Sequence, residues 1–204
     1  FFILAGNIMN NGGIATRLVN CAKVISGRMP GALAQSNVVA NMLFGAISGS
    51  GAAAAAAMGG TIGPLEEKEG YDKNYSTAVN VASAPVGMLI PPSNTMIVYS
   101  SVAGSVSIAA LFMAGYIPGL LWGGAVMILA GIMAKKRGYQ AEQRVPVKVA
   151  LKTFWQAIPS LLLIVIVIGG ILGGIFTATE GSAIAVVYAT VLSLSLIHIS
   201  EPTR

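Results

Sequence analysis

Two short clusters carry the groups that could do chemistry in this sequence. The first is Ser48-Gly49-Ser50, set between a long apolar stretch and the six-alanine run Ala52–Ala57. The second is Pro91-Pro92-Ser93-Asn94-Thr95. Neither cluster holds an acid, a base or a thiol, so neither is equipped for nucleophilic or general acid–base catalysis. What they offer is oxygen, as hydroxyls and as main-chain carbonyls released where a helix is interrupted. Pro91 and Pro92 lack backbone donors and so free carbonyls one turn earlier. Such oxygens suit a hard cation such as Na⁺, with Ser48, Ser50 and Ser93 nearest to it. The N-terminus of the half-helix that follows Ser50 carries partial positive charge and suits a carboxylate. The Pro91-Pro92 break has a second reading, a plain kink whose hydroxyls satisfy themselves.

The remaining candidates are few. Glu180 is the one acid in a late apolar stretch, and an acid at membrane depth is a functional candidate by default. Thr177-Ala178-Thr179-Glu180 also fits a capping box, with Thr177 at the N-cap and Glu180 at the third helical position, and the two readings are compatible. A single cysteine, Cys21, excludes an internal disulfide framework and a cysteine metal site. The single histidine, His198, lies in LSLIHISEPTR, an abruptly polar tail expected to be a translated cloning remnant and set aside from fold reasoning. No Ser/His/Asp set, metal cluster or phosphate loop occurs, so no enzyme and no cofactor is expected beyond Na⁺ as a coupling ion. Met9, Met42, Met88, Met96, Met113, Met127 and Met133 read as packing.

The elements that must position these residues are membrane helices. Hydrophobic residues make up 55% of the chain, charged residues 9%, and the mean hydropathy is +0.77. A soluble domain carries about 25% charged residues. No Asp, Glu, Lys or Arg occurs from Pro30 to Leu65, from Asn74 to Ala134, or from Thr153 to Ser200 except Glu180. The fold class is therefore all-α, a polytopic transmembrane helical protein. The net charge of +5 sits in loops and reads as topology, not as nucleic-acid binding.

Five apolar stretches can be marked: 1–21, 31–63 interrupted at 48–51, 75–103 interrupted at 91–93, 108–134, and 154–196 interrupted around 173–177. If the second stretch enters the membrane, turns at Ser48–Gly51 and leaves on the same side, all three basic loops fall on the cytoplasmic face, as Lys and Arg prefer. This predicts a re-entrant hairpin over 31–63. Non-helical backbone at membrane depth needs surrounding protein or a watery cavity, and broken transporter helices place such ends against substrate and coupling ion. Ala52–Ala57 and the pairs Gly169-Gly170 and Gly173-Gly174 read as close-packing faces. The expected organisation is the end of a scaffold helix with a cytoplasmic loop (1–30), the hairpin (31–63), a broken helix plus the next helix (74–134), a basic cytoplasmic arm (135–152), the start of a second repeat (153–194) and a non-native tail (195–204). The opening Phe1-Phe2-Ile3 leads to the expectation of a fragment.

These residues resemble a known family. FFILAGNIMNNGGIATRLVN, FGAISGSGAAAAAAMG, GYDKNYSTAVNVASAPVGMLIPPSNTMIVYSSVAGSVSI, LFMAGYIPGLL and GGIFTATEGSAIAVVYA are similar, in order, to the large membrane subunit of TRAP transporters, the tripartite ATP-independent periplasmic type. The resemblance implies an elevator-type secondary transporter that takes up an organic acid (a dicarboxylate, a sialic-acid-like molecule or another carboxylate) by Na⁺ symport. It implies a periplasmic binding protein that delivers the substrate, a small membrane subunit, surrounding lipid, and a place in a bacterial or archaeal cytoplasmic membrane. It puts Ser48-Gly49-Ser50 at the tip of the first hairpin and Pro91-Pro92-Ser93 at the break of the following helix, lining the first Na⁺ site and one side of the substrate cavity. The sequence departs from the family at Ala54, where an Asp is frequent, at Asn94-Thr95, where Ile-Pro is common, and at Ala178, where Pro is common. A second hairpin would follow the end of this chain. The alternatives are a carboxylate transporter of a related elevator family without a binding protein, and a membrane scaffold subunit with no substrate path.

Overall fold

The computed structural model describes residues 1–139, 141 and 146–200, with side chains as far as Leu196. Arg144 of the expected basic arm, the side chain of His198 and residues 201–204 of the expected tail lie outside the described residues. Every regular element among the described residues is a helix. They are α1 (Phe2–Asn11), α2 (Ile14–Ser26), α3 (Ala32–Ser48), α4 (Gly51–Thr61), α5 (Gly63–Lys68), α6 (Lys73–Ser83), α7 (Val86–Leu89), α8 (Asn94–Ala103), α9 (Ile108–Arg137), α10 (Val147–Leu172) and α11 (Ala178–Ser200).

Helix length divides these elements into two groups. Among the described residues, three helices are long and apolar enough to cross a membrane: α9, α10 and α11 to Leu196. The α6–α7 segment and α8 act as a fourth when joined, with a 45° bend at the break. The fold is that of a polytopic helical membrane protein. By contrast, α3 has 17 residues and α4 has 11. At 1.5 Å per residue they reach about 25 Å and about 16 Å, short of a hydrocarbon core of about 30 Å.

Burial reverses that order. Fourteen of the 17 residues of α3 are buried, which makes it the central element. The apolar window of α9 is only 22% buried, so most of its surface faces outward. Around α3 the core has two parts. One packs Phe44 and Ile47 against Met9 of α1, Ile14 and Leu18 of α2, Met58 of α4 and Leu163 and Val167 of α10. The other packs Leu33 and Val38 against Tyr71, Tyr75, Val79, Ala130 and Ala134.

Two stretches that read as continuous or merely interrupted are divided. The first breaks at Gly12-Gly13 into α1 and α2. The fifth divides into α10 and α11, which pack on each other after the turn at 173–177. The alanine run is a close-packing face only in part, because Ala54 and Ala57 are buried while Ala52 and Ala56 are exposed. Gly170 packs against the Phe176 ring that folds back over it.

Candidate functional site: a junction of two broken helices

The first break forms because Gly49 follows Ser48 with φ +61, a left-handed conformation that ends α3. Ser50 is extended, and its Oγ accepts a hydrogen bond from the Ala53 N–H at 3.3 Å, which caps α4. Asn80 of α6 then reports how α4 runs. Its Oδ1 accepts from Asn41 of α3 at 3.0 Å, and its Nδ2 donates to the Ala55 carbonyl of α4 at 2.9 Å. A single side chain reaches both legs only because α4 folds back beside α3. Residues 32–61 are thus a helical hairpin with its tip at Gly49.

The second break has the same construction. Pro91 and Pro92 supply no N–H, and α7 stops at Leu89. Ser93 is extended and caps α8, accepting from the Met96 N–H at 3.4 Å, while its own hydroxyl donates to the Met88 carbonyl. Ser93 is fully buried.

Packing then joins the two breaks. Gly45 and Gly87 each lie four residues before a break, and α3 and α7 cross there backbone on backbone. A Cβ on Gly45 would fall 2.3 Å from the Gly87 Cα, and one on Gly87 would fall 2.4 Å from the Gly45 Cα. The crossing holds the tip against the second break. Asn94 closes the joint: its N–H donates to the Gly49 carbonyl at 3.3 Å, and its Nδ2 donates to the Ser48 carbonyl at 3.2 Å. A Cβ on Gly49 would meet the Pro92 carbonyl oxygen at 3.0 Å. The junction thus gathers the C-terminal ends of α3 and α7 with the N-terminal ends of α4 and α8. Its oxygen set is neutral and largely buried, and it suits a hard monovalent cation: the carbonyls of Ser48, Gly49 and Pro92 and the hydroxyls of Ser48 and Ser50.

Of the residues singled out by sequence, Ser48, Gly49, Ser50, Pro92, Ser93 and Asn94 meet here. Pro91 is buried beside them, and Thr95 is exposed on the outer side of α8. Thr177, Thr179 and Glu180 are elsewhere, at the exposed start of α11. There the Thr177 N–H and hydroxyl donate to Glu180 Oε2 at 2.8 and 2.9 Å, and the Glu180 N–H donates to Thr177 Oγ1 at 3.3 Å. That is the reciprocal pattern of a capping box.

A buried polar ladder below the junction was not singled out. Asn41 Nδ2 lies 2.7 Å from Asn37 Oδ1, 2.9 Å from Ser83 Oγ and 3.0 Å from Asn80 Oδ1, and its two N–H groups are shared among these acceptors. The available signal was Asn37 and Asn41, four apart on one face of an uncharged, mostly apolar helix. Glu66 of α5 lies at the foot of this ladder and is 1% exposed.

Comparison with known proteins identifies a family. The family described as "Tripartite ATP-independent periplasmic transporter, DctM component" matches residues 1–201. The chain is 58% identical over 193 residues to the uncharacterized protein YgiK of Salmonella typhimurium, covering 95% of this chain and 44% of that one. It is 43% identical to the isethionate TRAP transporter permease protein DctMQ of Oleidesulfovibrio alaskensis, over 94% of this chain and 30% of that one. It is 42% identical to the C4-dicarboxylate TRAP transporter large permease protein DctM of Vibrio cholerae, over 93% of this chain and 42% of that one. The chain spans less than half the length of these relatives. With the family match running through both broken helices, the chain belongs to the DctM component family of tripartite ATP-independent periplasmic transporters.

Proposed function

We propose that this chain is part of the large membrane subunit of a Na⁺-coupled importer of an organic acid. The observation that carries the reading is the junction, where Asn94 ties the tip at Ser48–Gly49 to the break after Pro92. Transporters built from broken helices use half-helix N-termini for anionic substrate groups and unwound carbonyls for the coupling cation. In this reading the carbonyls of Ser48, Gly49 and Pro92 and the hydroxyls of Ser48 and Ser50 hold Na⁺. The N-termini of α4 and α8 face the substrate anion. Among the described residues no carboxylate lies at the junction, and in this reading the substrate's own charge helps to balance the cation. Each ligand then raises the other's affinity by the same factor, which is the thermodynamic content of symport.

The two relatives named for isethionate and for a C4-dicarboxylate point to small anions, a sulfonate in one case and carboxylates in the other. The 31–63 hairpin is re-entrant in this reading, with its tip at membrane depth, and the hairpin and broken helix move together in an elevator step. A second hairpin, a small membrane subunit and a periplasmic binding protein complete the system in a bacterial or archaeal cytoplasmic membrane. The outward apolar side chains of α8 and α9, among them Val102, Ile117 and Leu121, fit lipid and that small subunit.

The test is uptake by the full-length protein, with its partners, in proteoliposomes across a series of Na⁺ concentrations. Ser48→Ala removes a hydroxyl without touching either helix cap, and Asn94→Ala releases the joint. Each is expected to raise half-saturating Na⁺ roughly tenfold, the effect of about 1.4 kcal/mol. Unchanged Na⁺ dependence in both variants would remove the cation from the junction.

A further inference from the structure

The foot of the hairpin holds a second polar site, chemically unlike the junction. Glu66 is buried on α5, and its two carboxyl oxygens have no hydrogen-bond partner among the described residues. The Asn37 Nδ2 of α3 and the Ser76 Oγ of α6 are likewise buried without partners. Both flank the carboxyl and favour its ionised form, yet neither sits in hydrogen-bond geometry with it. These groups line one cavity of about 350 Å³, together with Asn80, Tyr71, Lys73 and Glu67. A cavity of that size with several polar partners holds water and small ions.

Charge makes the site incomplete. A buried carboxylate is costly unless something neutralises it. No ionisable side chain occurs on α3 or α4. From α6 and the turn before it, Tyr71, Lys73 and Tyr75 face the carboxyl, and no cation among them pairs with it. Arg137 of α9 is engaged by Asp72 at 3.0 Å. Glu67 at the cavity rim adds negative charge. We propose that Glu66, with Asn37 and Ser76, is a small-cation site at the foot of the hairpin, whose carboxyl is neutralised by a proton or by an alkali metal ion in the same place. Burial also pushes the Glu66 carboxyl up to about 7, against the smaller opposing pull of Ser76 and Asn37. Asn37 lies eleven residues before Ser48 on α3, about 16 Å along the axis. The site is therefore separate from the junction and independent of the Na⁺ reading given to it. The Asn37–Asn41–Asn80 ladder runs between α3 and α6 on the side of this site nearer the junction.

Infrared difference spectra of the full-length protein in nanodiscs, recorded across neutral pH, test the site without reference to transport. Wild type is expected to lose a protonated-carboxyl band with a midpoint near 7, and Glu66→Gln is expected to lack that band. Ser76→Ala leaves the carboxyl in place and moves the midpoint upward, because a group favouring the charged form is gone. Adding Na⁺ or Li⁺ in place of choline separates the occupants. A midpoint that falls with the metal ion assigns the site to both ions in competition, and one that does not move assigns it to the proton. A band that survives in Glu66→Gln, or a Glu66 midpoint at the ordinary carboxylate value of about 4.3, overturns the proposal.

Discussion

At residues 48–50 the chain passes from α3 to α4 through Ser-Gly-Ser, buried against Pro92 and Asn94. At residues 173–177 it passes from α10 to α11 through Gly-Gly-Ile-Phe-Thr, in an exposed turn. Both interruptions follow a long apolar stretch, and both restart a helix behind a hydroxyl cap. They differ in who satisfies the released backbone. At the second turn the chain does so itself: the Gly173 N–H returns to the Gly169 carbonyl, and the Ile175 and Phe176 N–H groups return to Gly170. At the first, the carbonyls of Ser48 and Gly49 take donors from Asn94, a residue of a different broken helix. A break that closes on itself is a corner. A break that closes on another break is a joint between two elements.

The largest effect is expected where the joint depends on two backbones touching. Gly45→Val would drive a branched side chain into the Gly87 backbone, since even a Cβ would lie 2.3 Å from the Gly87 Cα. Overpacking costs about 1–3 kcal/mol, and more where backbone rather than side chain must move. Gly169→Val is the matched change near the corner, and a Cβ there meets nothing within 4 Å. Thermal unfolding of the purified full-length protein should therefore drop sharply for Gly45→Val and little for Gly169→Val. Equal drops would mean that the α3–α7 crossing is not what holds the joint together.

That crossing also marks how far the sequence could be read. The helix breaks were legible because Ser-Gly-Ser and Pro-Pro-Ser are strong local signals inside uncharged stretches. The capping box was legible because its spacing is local. Gly45 and Gly87 gave no such signal, since each is a lone glycine in an apolar run and their meaning lies in 42 residues of separation. Glu66 was hidden for a related reason. In Glu66-Glu67-Lys68-Glu69 it reads as one more loop charge, and only the return of α5 beside Asn37 buries it. The division of the first stretch falls at Asn10-Asn11-Gly12-Gly13, a local turn signal with Gly13 at φ +75, and α1 then packs on α11 while α2 packs on α3 and α10.

A middle-sized effect separates capping from function. Ser50→Ala and Thr177→Ala each remove a cap, at about 0.5–2 kcal/mol. Both variants should lose thermal stability by similar amounts. Only Ser50→Ala should also alter the Na⁺ dependence of uptake, because its hydroxyl lies in the joint while that of Thr177 is spent on Glu180. A Thr177 variant with altered Na⁺ dependence would bring the corner into the transport path and dissolve the distinction.

The smallest effect is expected at Glu180, the residue whose charge alone would have made it the leading candidate. Its carboxylate is exposed and accepts two donors from Thr177. Glu180→Gln keeps an acceptor in the same place and should change stability less than either cap deletion does. A double-mutant cycle with Thr177→Ala should show that the two losses overlap, because the side chains act as one cap. Uptake kinetics should stay as they are. Full additivity, or loss of uptake with stability intact, would mean that the acid acts outside its cap. The rank of these effects follows from the direction in which each polar group is satisfied: across to another element at residue 94, and back into its own turn at residue 180.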